Sequence, residues 1–349
     1  MSELYLVVGN PTAQTGRAKE YLQRAIDGLR ARGKAAELLA TEPRGRTIGL
    51  VREAIEARDP AVVVYLGGDG TFNEVGQGIL SASRKPPMGM LPMGTANDQG
   101  RSLGVRPGPA ALEDNLDVIV RGHVLHLDAG RVEALDARGE GGKQTYCVDC
   151  VGWGLSPEVL AQRNRDRAAV QGVPILRELW RDQAVYAGAL VDRLIGSFLE
   201  PSKFDARVQT DGRVLEYEGL TDLILNNTAI YAGEWVLDRF SEPDDGKIEL
   251  VPMRGRRDWA SKALRDLAVL PLFQEDLDVI GVTHSEGVRG AFFDLTFFRE
   301  GKVAIASQID GEEWEAGDRF RVTVLANALP VITPVELVPP WRFAREPTE

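Results

Sequence analysis

The run Ala61-Val62-Val63-Val64-Tyr65-Leu66-Gly67-Gly68-Asp69-Gly70-Thr71-Phe72-Asn73-Glu74 constrains this chain more than any other stretch. A continuous apolar segment with no polar alternation is the pattern of a parallel strand buried on both faces. It breaks into a glycine-rich turn and then into an amphipathic segment, so a buried strand feeds a tight turn and a helix start. Glycine lets a phosphate approach the backbone, and Asp69 and Thr71 set polar chemistry beside it. A carboxylate inside such a loop points to phosphoryl transfer rather than hydride transfer.

The surrounding residues predict alternation of strand and helix. Strands are expected at 4–8, 35–40, 61–66 and 88–91, with helices at 18–32, 46–58 and 72–83 and a helical turn at 97–103. Short loops between such elements give a layered α/β domain with a parallel sheet, whose open edge is the natural ligand site. After about residue 120 the pattern changes. Strands are expected at 124–135, 144–151, 204–210, 223–226, 248–252, 279–282, 291–298, 303–308 and 320–325, divided by turns such as Asp211-Gly212 and Arg299-Glu300-Gly301-Lys302. More helical stretches cover 165–197 and 258–270. The fold class is therefore α/β in two domains: an N-terminal layered α/β nucleotide-binding domain, residues 1–122, and a C-terminal antiparallel β-rich domain, residues 123–329. Residues 330–349 read as a C-terminal segment returning to the first domain.

Composition excludes several functions. The 349 residues carry 41 Lys plus Arg against 52 Asp plus Glu, a net charge of -11, which disfavours a nucleic-acid partner. No apolar run approaches the roughly 20 residues that cross a bilayer, and the first residues lack the pattern of a signal peptide, so a cytoplasmic protein is expected. Cys147 and Cys150 read as buried, inert positions on opposite faces of one strand. The histidines, His123, His126 and His284, form no metal-binding spacing.

Two further turns come after apolar strands. Asn10-Pro11-Thr12 either fixes its own turn or binds nucleotide groups. In Pro92-Met93-Gly94-Thr95-Ala96-Asn97-Asp98, Thr95 can donate to a phosphate, while Asn97 and Asp98 can cap the next helix. The phosphate loop GxxxxGK[ST] and the dinucleotide fingerprint GxGxxG are both missing, which excludes a standard dehydrogenase.

With these motifs the chain resembles the catalytic family of diacylglycerol kinases, in particular its soluble bacterial lipid-kinase branch, which is related to sphingosine kinases. The resemblance rests on Asn10-Pro11-Thr12, on Gly67 through Glu74 and on Leu91 through Asp98. Asp128-Ala129-Gly130, Pro243-Asp244-Asp245-Gly246 and Asp310-Gly311-Glu312 extend it. It implies an active cleft between the domains, with ATP held by Asn10, Thr12, Thr41, Gly67, Gly68, Asp69, Gly70, Thr71, Phe72, Asn73 and Thr95. It also implies that Asp69 lies beside the transferring phosphate and organises magnesium, with Asp98 and Asp128 in the same acidic network. Asp310 becomes the general base and Glu312 its neighbour in the cleft; on one strand the two would share a face. A water-facing hairpin is the alternative for Asp310-Gly311-Glu312. A structural magnesium site would use the carbonyls of Glu242 and Lys247 and the carboxylate of Asp245, or Asp244 and Asp245 would only shape a turn.

The function implied is transfer of the ATP γ-phosphate to a lipid alcohol, diacylglycerol or a related glycerolipid. A sphingosine-like or other small hydroxylated acceptor, and a non-catalytic lipid- or nucleotide-binding regulator, stand as alternatives. Transient contact with the inner face of a membrane and a homodimer are both compatible with the sequence. Arg163, Arg165, Arg167, Arg177 and Arg181 could meet an anionic surface or face water. Trp153, Trp180, Trp235 and Trp259 read as packed.

Overall fold

Four parallel strands and the helices between them build the N-terminal region of the computed structural model. The structure describes residues 3–136, 138–158, 160–161, 203–228, 230–231, 235–236, 241–254, 288–302 and 304–335. Strand β1 (Leu4–Gly9) leads to α1 (Arg17–Ala31) and β2 (Ala35–Ala40); α2 (Arg46–Arg58) leads to β3 (Val62–Gly67). Then come α3 (Asp69–Ser81), β4 (Met88–Pro92), α4 (Asp98–Ser102) and α5 (Leu112–Arg121).

The strands lie in the order β2-β1-β3-β4, all parallel. Alternation along β1 divides its side chains between two apolar layers. Leu6 and Val8 pack with Val51, Ile55, Phe72, Val75 and Ile79 from α2 and α3. Tyr5 and Val7 pack with Leu22, Ala25, Leu29, Leu112 and Leu116 from α1 and α5. A sheet covered on both faces explains why 61–66 shows no polar alternation.

The rest is β-rich and largely antiparallel. Strands β5 (Val124–Ala134), β6 (Gln144–Cys147), β7 (Cys150–Gly154), β8 (Phe204–Thr210), β9 (Arg213–Leu220) and β10 (Asp222–Asn226) precede the short β11 (Ile230–Tyr231) and β12 (Trp235–Val236). They are succeeded by β13 (Ile248–Met253), β14 (Arg289–Gly290), β15 (Phe292–Phe298), β16 (Ile305–Ile309), β17 (Glu312–Gly317) and β18 (Arg319–Ile332). The order β14-β13-β10-β7-β16-β17 forms one sheet; β18, β15, β8 and β9 continue the parallel sheet, with β5 and β6 attached through β18.

An aromatic core lies between these layers. Trp153 is fully buried, with its ring 5.6 Å from Phe297 and 5.4 Å from Phe320. The expectation that Trp153 is packed therefore holds. Trp180, Trp259, the side chain of Trp235, the five arginines between 163 and 181, and the elements expected at 165–197, 258–270 and 279–282 lie outside the described residues.

Strand β18 joins the two regions. Its residues 320–325 and 329–332 pair with β5, the register shifts between Leu325 and Leu329, and Val331 pairs with Met88 of β4. Asn327 sits at that shift with φ 53°, and its N–H donates to Asp128 Oδ1 at 2.7 Å. The buried carboxylate on β5 thus stabilises an irregularity that lets one strand serve both regions.

Two expectations about local geometry change. Cys147 and Cys150 are buried, but they do not share a strand: β6 ends at Cys147 and β7 begins at Cys150. Between them the chain passes from the sheet containing β5 to the sheet containing β10. Asp310 and Glu312 do not share a strand face either. Asp310 and Gly311, at φ 48° and 82°, form the two-residue turn between Ile309 and its cross-strand partner Glu312. Two successive left-handed residues match the twist of a hairpin, which is why Asp-Gly serves here. Strand β9 is an addition to the expected strands; it is an edge whose alternate residues Val214, Glu216 and Glu218 face water.

Candidate active site

The carboxyl ends of β1, β2, β3 and β4 open at one edge. Gly9 pairs with Ala40 on one side and Leu66 on the other, and Gly67 pairs with Pro92. Asn10, Thr12, Thr41, Gly67 through Asn73 and Thr95 therefore succeed strand ends along a single edge. In a sheet ordered 2-1-3-4, the loops after β1 and β3 run to opposite faces and leave a crevice between them.

Each loop is held by its own chemistry. Asn10 Oδ1 accepts the Thr12 N–H at 2.9 Å and the Thr12 hydroxyl at 2.8 Å, closing the turn after β1. The Thr41 N–H donates to Gly9 O at 3.1 Å. The glycines meet a tighter requirement. A Cβ on Gly94 would lie 2.5 Å from Gly68 Cα, and one on Gly67 would lie 2.4 Å from Thr71 Oγ1. The loops after β3 and β4 are thus packed backbone against backbone.

Asp69, in the first turn of α3, ties those loops together. Its Oδ2 accepts the Asn97 N–H and its Oδ1 the Asp98 N–H, both at 2.8 Å. Burial pushes its carboxyl up, against the pull of these N–H groups. Phe72 is fully buried against Tyr65, ring centroids 5.5 Å apart, so its side chain belongs to the core beneath the loop. Asn73 is also buried and accepts from Gln77, whose Oε1 accepts the Thr145 hydroxyl at 2.8 Å. Thr71 is half-buried, while Thr95 is exposed at the rim.

The β16–β17 turn supplies the opposite wall. Asp310 is buried, and its carboxylate accepts three backbone N–H groups at 2.9 Å: Val148 on Oδ2, Asp149 and Cys150 on Oδ1. These belong to the crossing between β6 and β7, so Asp310 pins the point where the chain changes sheets. Burial raises its pKa to about 6 against the pull of those three groups. The Asp-Gly turn is real, but its carboxylate faces inward. Glu312 is exposed and reaches the start of α3, its Oε1 3.3 Å from where a Cβ on Gly70 would sit. Its charge, after burial, helps raise the Glu74 carboxyl on α3.

The residue missed in the sequence is Asp149. It is buried; its Oδ1 accepts the Thr228 hydroxyl, and its Oδ2 accepts Gln99 Nε2 at 3.2 Å. Burial first, then Asp98 and Asp310, drives its carboxyl well above the ordinary range, and Asp69 adds to that push. Asp69, Asp98, Asp149 and Asp310 therefore form one electrostatic cluster where α4, the β6–β7 crossing and the β16–β17 turn meet. The available signal was a lone acid between two buried cysteines in an otherwise apolar run.

Asp128 belongs to another network. It is buried and accepts the N–H groups of Asn327 and Gly246, while its own N–H donates to Pro243 O. Burial raises its pKa, and Asp245 and Asp244 add to the effect. Asp98 lies with the cluster around Asp149; Asp128 faces the loop at 243–246.

Residues 4–132 match the diacylglycerol kinase catalytic domain. A diacylglycerol kinase of Staphylococcus aureus (strain bovine RF122 / ET3-1) is 37% identical over 127 residues, 36% of this chain and 39% of that protein. One from Staphylococcus epidermidis (strain ATCC 12228 / FDA PCI 1200) is 34% identical over 126 residues, again 36% of this chain and 39% of its own length. The match thus spans about two fifths of these curated relatives. In fold the likeness runs further. A crystal structure of a diacylglycerol kinase from Bacillus anthracis str. Sterne superposes with TM-score 0.66 at 18% identity, covering 96% of this chain and 98% of that one. Yeast NADH kinase complexed with NADH gives TM-score 0.53 at 11% identity, over 96% of this chain and 84% of that one. The catalytic-domain match contains the loops after β1, β2, β3 and β4, along with Asp69, Asp98 and Asp128; Asp149, Asp310 and Glu312 lie beyond it.

The two cation positions implied by the resemblance differ in fit. Among the described residues, no three His, Cys, Asp or Glu side chains converge to hold a metal alone. Magnesium arriving with a nucleotide needs only one or two carboxylates beside phosphate oxygens, and the exposed carboxylate of Glu312, beside Gly70, suits that role. The loop containing Glu242, Asp245 and Lys247 does not fit a magnesium ion. Asp245 Oδ1 accepts the Lys247 N–H at 3.0 Å, and its Oδ2 accepts Arg289 Nη1 at 2.8 Å.

Proposed function

We propose that this chain is an ATP-dependent phosphotransferase acting on a lipid alcohol, diacylglycerol or a related glycerolipid. The observation that carries the reading is the row of nucleotide-loop motifs along one carboxyl edge, within a stretch matching the diacylglycerol kinase catalytic domain, facing an acidic turn from the β-rich region. The related proteins of Staphylococcus supply the acceptor class.

In this reading Asn10, Thr12, Thr41 and the Gly67–Thr71 loop hold ATP, and Thr95 donates to phosphate from the rim. Glu312 would hold magnesium carried with the nucleotide, which would neutralise charge on the phosphate oxygens. Asp69 keeps the β3 and β4 loops in register. Asp310 is the base that takes the proton of the acceptor hydroxyl. Three N–H groups fix its orientation, Oδ2 accepts only one of them and so retains a lone pair, and a pKa of about 6 suits proton transfer near neutral pH. Glu312 lies beside it toward α3. None of the described helices is long and apolar enough to cross a bilayer. Access to a lipid acceptor therefore calls for transient contact with the membrane surface.

The test is a transfer assay with purified protein, ATP and magnesium, offering diacylglycerol in mixed micelles, sphingosine and water-soluble polyols in parallel. Phosphorylation of the glycerolipid is expected. Strong transfer to a polar metabolite with none to any lipid alcohol would overturn the acceptor assignment. ATP binding without transfer to any acceptor would make the chain a binding protein.

A further inference from the structure

We propose that Arg289 is the built-in cation of the 242–247 loop, its guanidinium standing where the resemblance implied magnesium, so that this loop folds without a divalent ion. The placement comes from strand register. Arg289 on β14 pairs with Glu249 on β13, just after the loop. From there its Nη1 donates to Asp245 Oδ2 at 2.8 Å and lies 4.0 Å from Oε1 of the buried Glu249. One guanidinium thus serves two carboxylates.

The loop has a clear need for positive charge. Asp128, Asp244 and Asp245 lie close enough that the latter two raise the pKa of the first, beyond the effect of its burial. The same loop is stitched to the molecule through Asp128: the Gly246 N–H donates to its Oδ2, and its own N–H donates to Pro243 O, both at 2.6 Å. Asp128 in turn holds the Asn327 irregularity in β18 at 2.7 Å. Loss of the loop geometry would reach the strand that joins the two regions.

A magnesium ion at Asp245 would meet two obstacles. The carboxylate oxygens already accept the Lys247 N–H and the guanidinium. An ion bound there would also place two positive charges beside a permanent third, because arginine does not lose its proton at any working pH. Arginine matches a carboxylate through charge-assisted hydrogen bonds and is less strongly hydrated than a small cation. Magnesium releases its waters reluctantly and gains little at a single shared carboxylate.

The experiment reads folding, so it stands whether or not the chain transfers phosphate. Melting temperatures of the full chain are measured without nucleotide, in magnesium chloride and in chelator, for the wild type, Asp245→Asn and Arg289→Ala. The wild type and Asp245→Asn should respond alike to magnesium, showing that Asp245 contributes nothing to a metal site. Arg289→Ala should melt lower by about 2–4 °C, the change that roughly 1 kcal/mol produces in domains of 150–250 residues. A magnesium-dependent rise in the wild type that Asp245→Asn abolishes would overturn the proposal. So would an Arg289→Ala variant that melts at the wild-type temperature.

Discussion

Asp69 Oδ2 accepts the backbone N–H of Asn97 at 2.8 Å, joining two loops separated by 28 residues in sequence. Its other oxygen takes the Asp98 N–H, so one side chain supplies both acceptors at the start of α4. The acid in the glycine-rich turn therefore has a structural duty before any chemistry is considered.

Asp69→Ala leaves those two buried amides without their acceptor. Loss of a partner for a buried donor costs about 1–3 kcal/mol, so the urea midpoint should fall accordingly. Amide exchange at Asn97 and Asp98 should accelerate more than at β1, where the core is undisturbed. Unchanged protection at both amides would show that the loops are held by packing alone.

Asp310 sets a pH dependence whose sign is fixed by its environment. Its pKa of about 6 stands above the ordinary 3.8 of an aspartate, so between these values the unfolded chain has released a proton that the folded chain retains. This contribution to stability is present below about pH 4 and is lost as pH rises through about 6. At about 1.4 kcal/mol per pKa unit it amounts to ~3 kcal/mol. Asp310→Asn should flatten this part of the stability profile in urea titrations run from pH 4 to 7. The amide should also destabilise the fold near neutrality, because its NH2 must face one of the three N–H donors, and transfer should slow by roughly 100-fold if Asp310 is the base. A variant with the wild-type pH slope would remove Asp310 as its source.

Asp149→Asn should be neutral or stabilising at pH 7 to 8. The native carboxyl is pushed well above its ordinary range, and that cost of ionisation grows as pH rises. An asparagine of nearly the same shape can turn its oxygen to Gln99 and its amide to Thr228, whose hydroxyl rotates to accept. Thermal melts of both proteins across pH 6 to 8 should diverge in favour of the variant. A loss exceeding about 1 kcal/mol, the net worth of one ordinary hydrogen bond, would show that the charge itself is required.

The carboxyl edge of the parallel sheet was legible because its signals are local. An unbroken apolar run, a Gly-Gly-Asp-Gly turn and a second polar turn after another strand each specify backbone within a few residues. Parallel topology then places all their ends together. Legibility was poorer where a side chain acts through distant backbone. Nothing near Asp310 indicates that its oxygens serve Val148, Asp149 and Cys150, more than 150 residues earlier. Nothing near Asp245 names Arg289 as its partner, since strand register brings them together.

Read alone, the chain specifies the α/β region, the antiparallel character of the β-rich remainder, the Asp211-Gly212 turn and the burial of both cysteines. These come from hydrophobic period and backbone preference, which act over a few residues. Tertiary structure alone decided that Asp128 and Asp98 lie in separate networks, that Asp149 joins the acidic cluster, and that an arginine occupies the 242–247 loop. Each depends on which distant N–H or charge reaches a carboxylate once β18 has joined the two regions. Close pairing of groups far apart in the chain is a property of packing, and a carboxylate's partners exist only after the strands have found their register.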